Sequence, residues 1–175
     1  MTTMPATTFD RMPDDARLFV FAAPRPLNDG EAAALLQRVD GFLERWAAHG
    51  APVLGARDFR DGRFLLVAAD ERATGVSGCS IDSLQHALAD AEGVLGTDLR
   101  RGASLVYWRD ASGEVKSAER GEFRRLAQAG EVADDTVVFD NTVTDVGAIR
   151  AGRWETRLRD AWHARAFPIG AAAAG

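Results

Sequence analysis

Two apolar runs, "APVLGARDF" from Ala51 and "RFLLVAADE" from Arg63, stand on either side of Asp61-Gly62. Asp-Gly suits the central positions of a type I′ turn, both of which need positive φ. The runs are therefore expected to fold back on each other as an antiparallel hairpin, 53–59 against 63–69. This hairpin constrains the rest of the chain, because segments of helical period lie on both sides of it.

Upstream, "PLNDGEAAALLQRVDGFLERWAAHG" offers Asn28 as N-cap and Glu31 at the third helical position, a capping-box arrangement. Leu35, Val39, Phe42 and Trp46 recur at helical spacing, and Gly50 is the expected stop. His49 then falls at the helix C-terminus, where a cation is favoured. Downstream, Ile81, Leu84, Leu88, Ala91 and Leu95 step by three and four up to Gly96. "RLFVFAAP" (17–24) and "ASLVYWRD" add a short apolar strand at each end.

The resulting order, strand-helix-strand-strand-helix-strand, predicts an α+β fold with a ferredoxin-like βαββαβ core over 17–109: four antiparallel strands with both long helices on one face. Residues 1–16, polar with scattered proline, are expected to be a flexible leader. A smaller α+β extension is predicted over 110–167. It comprises a hairpin around Ser112-Gly113, a short helix through Phe123 and Leu126, a stop at Gly130 and a strand at 136–140. Ile149, Trp154, Leu158 and Trp162, spaced five, four and four, predict a C-terminal helix packed on the sheet. Residues 168–175 are expected to be a disordered tail.

Composition removes several functions. A net charge of -5 argues against a general nucleic-acid binder, which needs a dominant basic face. Arg150, Arg153, Arg157, Arg159 and Arg165 cluster, but Glu155 and Asp160 interrupt them, as on a solvated helical face. The only lysine, Lys116, lies in "GEVKSAE", so the Gly-Lys-Ser/Thr of a phosphate-binding P-loop is missing. No stretch approaches the ~20 apolar residues of a membrane span, and "MTTMPATTFDRMPDDAR" carries no apolar run of signal-peptide length. With a single cysteine, these features predict a soluble cytoplasmic protein.

Cys79, in "VSGCSIDSLQHAL", has the best physical case for chemistry. With Ser80 or Asp82 as cap, its thiol lies among the unpaired N–H groups at the start of the second helix, which favours thiolate. Gly78 lets a backbone or ligand come close. The competing expectation is a packed cysteine, since free cysteines are among the most buried residues. His163, in "DAWHARAF", is the candidate base if folding brings it to Cys79. His86 is expected to be exposed, opposite the apolar stripe. Paired ligand spacing is missing, so no metal is expected, and "GVSGCS" is too short for a dinucleotide fingerprint, so no cofactor is expected either.

Residues 108–140 resemble the small bacterial GYF-like interaction modules. An aromatic strand, a Gly-containing turn, a short "eLxxLxxxG" helix and an "xDTxVW"-like strand succeed one another there, and "GEFRRLAQAGEVADDTVVF" stands in those places here. The usual Gly-Pro before the helix is missing, and Phe139 replaces the tryptophan. More broadly, "RPL", "WAAHG", "SGCSIDSL", "DTVVFDNTV" and "AWHARAF" resemble the landmarks of a family of small uncharacterised bacterial proteins often labelled ABC-transporter ATPases. The family's usual "FNNTV" reads "FDNTV" here, so no role of its first asparagine carries over to Asp140. That resemblance implies no activity, and the missing P-loop argues against the ATPase label.

These features predict a non-catalytic binding or interaction module. Its expected partner is a protein segment or a small ligand, with an anionic ligand held at Gly78, Cys79 and Ser80 by backbone N–H groups. Trp108 is the expected aromatic contact. The alternative is a thiol-dependent enzyme or redox sensor using Cys79, with His163 as base.

Overall fold

The computed structural model describes residues 8–102 and 104–170. The strands are β1 (Arg17–Ala22), β2 (Ala47–Ala48), β3 (Ala51–Pro52), β4 (Leu54–Arg60), β5 (Phe64–Asp70), β6 (Val106–Arg109), β7 (Val115–Ala118), β8 (Val137–Phe139) and β9 (Glu155–Arg157). The helices are α1 (Asp29–Leu43), α2 (Gly78–Leu95), α3 (Leu99–Gly102), α4 (Arg120–Gln128), α5 (Val146–Arg150) and α6 (His163–Ala166). The fold is mixed α+β with several small antiparallel sheets.

The Asp-Gly hairpin forms as expected. Asp61 and Gly62 take φ of 54° and 62°, and β4 pairs antiparallel with β5 from Arg60↔Phe64 to Leu54↔Asp70. β1 pairs with the other side of β5, giving the order β1-β5-β4 with β5 in the centre and β4 at an edge. Both long helices cover one face of this sheet. Leu35, Val39, Leu84, Leu88 and Ala91 pack on Phe21, Leu65, Val67 and Ala69. The Asn28–Glu31 capping box forms, and Arg57 ties β4 to α1 with paired 2.8 Å bonds to Asp40.

The ferredoxin-like arrangement stops after its third strand. The expected fourth strand, β6, does not pair with β1. It joins a second sheet of order β7-β6-β8-β9. Because strand side chains alternate in direction, the even-numbered residues of β1 and β5 turn away from the helices. Leu18, Ala22, Phe64, Leu66 and Ala68 meet Tyr107, Val115, Phe139 and Trp154 of the second region. The outer face of the second sheet is closed by Phe123, Ala127, Leu158 and Phe167 over Val106 and Val138. The order of layers is helices, sheet, sheet, then α4 with the C-terminal segment. β6 was therefore placed correctly as a strand but in the wrong sheet, so the 17–109 core and 110–167 extension do not divide where the sequence suggested.

Three further expectations are corrected. α1 ends at Leu43, and "WAAHG" leaves it: His49 (φ 50°) and Gly50 (φ 78°) form the turn of the β2-β3 hairpin. Histidine tolerates the left-handed region better than most residues, so His-Gly acts as a turn here and His49 caps no helix. The predicted C-terminal helix is instead α5, β9, a 3-10 turn and α6 in succession. Trp154 is 1 % exposed and Trp162 is half-buried, while the five arginines of this stretch are exposed, though on no single helical face. Finally, residues 9–16 are no flexible leader: Phe9, Met12 and Ala16 are buried, and Arg150 donates to the Asp10 and Met12 carbonyls at 3.0 and 2.7 Å. At the other end Gly170 N–H donates to the Ala127 carbonyl at 2.9 Å, so 168–170 dock on α4. Residues 1–7 of the expected leader and 171–175 of the expected tail lie outside the described residues.

Candidate functional site

With β6 elsewhere, one edge of β1 faces no strand of its own length among the described residues. Successive residues of an antiparallel strand direct their N–H and C=O groups alternately to either neighbour. Ala23 N–H bonds the Arg63 carbonyl on the β5 side, whereas Leu18 N–H bonds the Thr144 carbonyl on the far side. Leu18, Val20 and Ala22 therefore present their backbone groups outward.

Both ends of that edge are covered. At the start, Arg17 bridges Asp145, and Val146 N–H returns to the Ala16 carbonyl at 3.1 Å. At the finish, α3 lies on Ala22 so closely that a Cβ added at Gly102 would stand 1.6 Å from the Ala22 carbonyl oxygen. Only glycine permits this approach. Between the two covers, the outward N–H and C=O of Val20, the C=O of Leu18 and the N–H of Ala22 have no hydrogen-bond partner among the described residues. The exposed row spans about four residues, or ~13 Å at strand rise.

A cavity of about 290 Å³ lies against this row, lined by residues 18–21, Gln85, Arg100 and residues 141–144. Arg100 is set by Glu92, whose carboxylate accepts from the Arg100 backbone N–H at 2.7 Å and from Nε at 2.9 Å. The pairing raises the Arg100 pKa, chiefly through that hydrogen bond. Asn141 accepts from Trp154 Nε1 at 2.9 Å through Oδ1, which fixes the orientation of its amide. Its Nδ2 is then buried with no partner among the described residues. Neighbouring Asp140 is a joint of the loop: its carboxylate accepts from Thr142 N–H at 3.0 Å, from the Thr142 hydroxyl and from Trp162 Nε1 at 3.1 Å.

The residues singled out from sequence are scattered. Ser77, not Ser80 or Asp82, is the N-cap of α2. Ser77 and Ser80 form the capping box, so Gly78 and Cys79 are the first two helical residues. Gly78 and Cys79 are exposed, which corrects the packed reading of the thiol. Ser80 is 1 % exposed; its hydroxyl donates to the Ser77 carbonyl at 2.8 Å, and its own carbonyl accepts from Trp46 Nε1 at 3.0 Å. It holds the helix start together. His86 is exposed, as expected.

His163 lies in the outermost aromatic cluster, stacked on Trp162 at 4.1 Å and close to Phe123 and Phe167. Both sheets separate it from α2, so the structure does not bring Cys79 and His163 together. Burial pushes the imidazole down to about 4, against the opposing pull of Asp140, and Nδ1 has no partner among the described residues. Trp108 is half-buried, edge-on to Phe123 at 5.1 Å, on the outer face of the second sheet and away from the β1 edge. Among the described residues, no group of three or more His, Cys, Asp or Glu is placed to hold a metal ion, and no helix is long and apolar enough to cross a membrane.

Val20, Gln85, Arg100 and Asn141 escaped the sequence reading. The "FDNTV" landmark was the one signal available: its asparagine, Asn141, lines the cavity together with Thr142 and Val143. No family model, curated protein or solved structure matches this chain.

Proposed function

We propose that the chain is a non-catalytic binding module of the cytoplasm that takes an extended protein segment along the open edge of β1. Strand addition recruits affinity from main-chain hydrogen bonds, and side-chain pockets set the choice of partner. The observation that carries this reading is the unpaired row at Leu18, Val20 and Ala22, fronting a cavity with polar side chains on its wall. An unpaired edge is ordinarily a liability that folds cover or charge. Here the cover stops short on both sides and leaves only the length a few residues need. The order of β6, β7, α4 and β8, which resembles that of GYF-like interaction modules, supports the same functional class. The free, exposed Cys79 favours the thiol-dependent alternative on accessibility alone, since His163 lies beyond both sheets.

Val20→Pro tests the proposal. Proline is tolerated in an edge strand where the lost N–H faces away from the sheet, so the variant is expected to keep its fold. It removes the central donor of the row and puts a ring in its place. Titrating a random-sequence hexapeptide pool into the isotope-labelled parent should shift the Val20 and Ala22 amide signals, and in the variant the Ala22 shift should vanish. Equal response of the two proteins would show that the segment binds elsewhere.

A further inference from the structure

We infer that the β1 edge receives the carboxyl-terminal end of its partner, with the terminal carboxylate held from the α3 side by Arg100. This inference rests on the strand-capture proposal and adds the chemistry of the captured end.

The first argument is shape. A strand that passes through needs an edge open at both ends. This one is blocked at Leu18 by residues 144–146 and at Ala22 by α3, whose Gly102 sits on the Ala22 carbonyl. A chain can lay its last two or three residues against Val20, but it cannot continue past α3. The cavity of about 290 Å³ suits such an end.

The second argument is charge. The lining holds the Arg100 guanidinium, the Gln85 and Asn141 amides, the Thr142 and Thr144 hydroxyls and no acidic residue. Glu92 engages Nε and Nη2 of Arg100, leaving Nη1 without a partner among the described residues, while the side chain remains 45 % exposed. Asn141 adds an amide nitrogen whose hydrogens have no acceptor among the described residues. Among the lining residues Arg100 alone carries a charge. An incoming ammonium group finds a cation there, whereas a carboxylate gains charge-assisted bonds.

Two pools of random-sequence hexapeptides, one ending in a free carboxylate and one amidated, distinguish the readings when titrated into the full chain. The free-acid pool is expected to shift the Val20, Ala22 and Asn141 amide signals at concentrations at least about tenfold lower than the amidated pool, the scale of one hydrogen bond to a charged group. Arg100→Gln should erase that difference while leaving the weaker amidated response, and Asn141→Asp, which keeps the acceptor for Trp154 but adds a negative charge, should reduce free-acid binding further. Equal binding of both pools at Val20 would overturn the carboxylate assignment and leave strand capture standing. No shift at Val20 with either pool would overturn both. Because the pool comparison on the unmodified chain decides alone, a variant that unfolds does not cancel the test.

Discussion

β5 runs through seven consecutive buried residues, and only its last, Asp70, makes a side-chain hydrogen bond, to Arg72. The four-stranded sheet beside it is held quite differently. Trp154 bonds Asn141, Trp162 bonds Asp140, and Arg109 spans from Asp61 at 3.0 Å to Glu155. The joint between the sheets is polar as well as aromatic. Phe64 meets the rings of Tyr107, Phe139 and Trp154 at 4.6–5.2 Å, while Arg63, 6 % exposed, donates to Ser117 Oγ at 3.0 Å. β5 is stabilised chiefly by area removed from water, which is indifferent to direction, while Arg57–Asp40 and Trp46–Ser80 add directed bonds at the margins of its region. The second region depends on bonds between residues far apart in sequence, each with one workable geometry. One region tolerates repacking, and the other fixes the relative position of the layers.

The largest expected effect tests whether the second region is an appendage. A chain ending at residue 149 loses β9, Trp154, Leu158 and Phe167, and with them the cover of Phe64 and the outer face of the second sheet. Removing one buried tryptophan typically costs about 3–5 kcal/mol, and whole domains are stable by only about 5–15 kcal/mol. Thermal unfolding followed by circular dichroism should therefore show no cooperative transition near that of the full chain. A shortened chain with an unchanged melting temperature would make the first region self-sufficient and dissolve the comparison.

An intermediate effect belongs to the second region alone. His163 has a folded pKa of about 4 against 6.5 for the free side chain. As pH falls below about 6.5, the unfolded chain takes up a proton that the folded chain refuses, so stability is full above that pH and declines until about pH 4. The accumulated loss is on the order of 3 kcal/mol. Denaturant titrations of the parent and His163→Leu between those limits should converge in slope only if the imidazole is not the cause.

The smallest effect belongs to the first region. Cys79→Ser should change stability by no more than about 0.5 kcal/mol, as for other surface positions. Cys79 in the folded protein should be alkylated nearly as fast as in denaturant. Slow labelling would mean that the α2 start is covered.

The features legible in the sequence were those encoded within a few residues. Asp61-Gly62, the Asn28–Glu31 box, the α2 stripe and the order β6, β7, α4, β8 all follow from local spacing and turn chemistry. Trp46 was misplaced because its spacing continues the α1 stripe, while the helix ends at Leu43 and the ring packs against Phe19 and Phe42 from outside it. Trp154 was expected to be buried and is, but a spacing of five, four and four also fits a strand flanked by short turns. The sheet to which β6 belongs was illegible for a different reason. Val106 and Tyr107 face opposite cores, and a four-residue strand buried on both sides carries no record of its neighbours. The candidate site shared that fate, since it exists only because β6 went elsewhere.

The position of β5 has a kinetic meaning. Its side chains alternate between the core under the helices and the core between the sheets, so neither core can open without stripping β5 of packing on one face. Its amide protons, shared with β1 and β4, are therefore released to solvent only when the whole molecule unfolds. The exchange rate of the amides from Phe64 to Ala69 is a direct meter of global opening, whereas those at the outer edge of β1 exchange in the native state. The protein thus carries slow and fast strand amides on adjacent strands, a contrast that a partner laid along β1 would erase from one side.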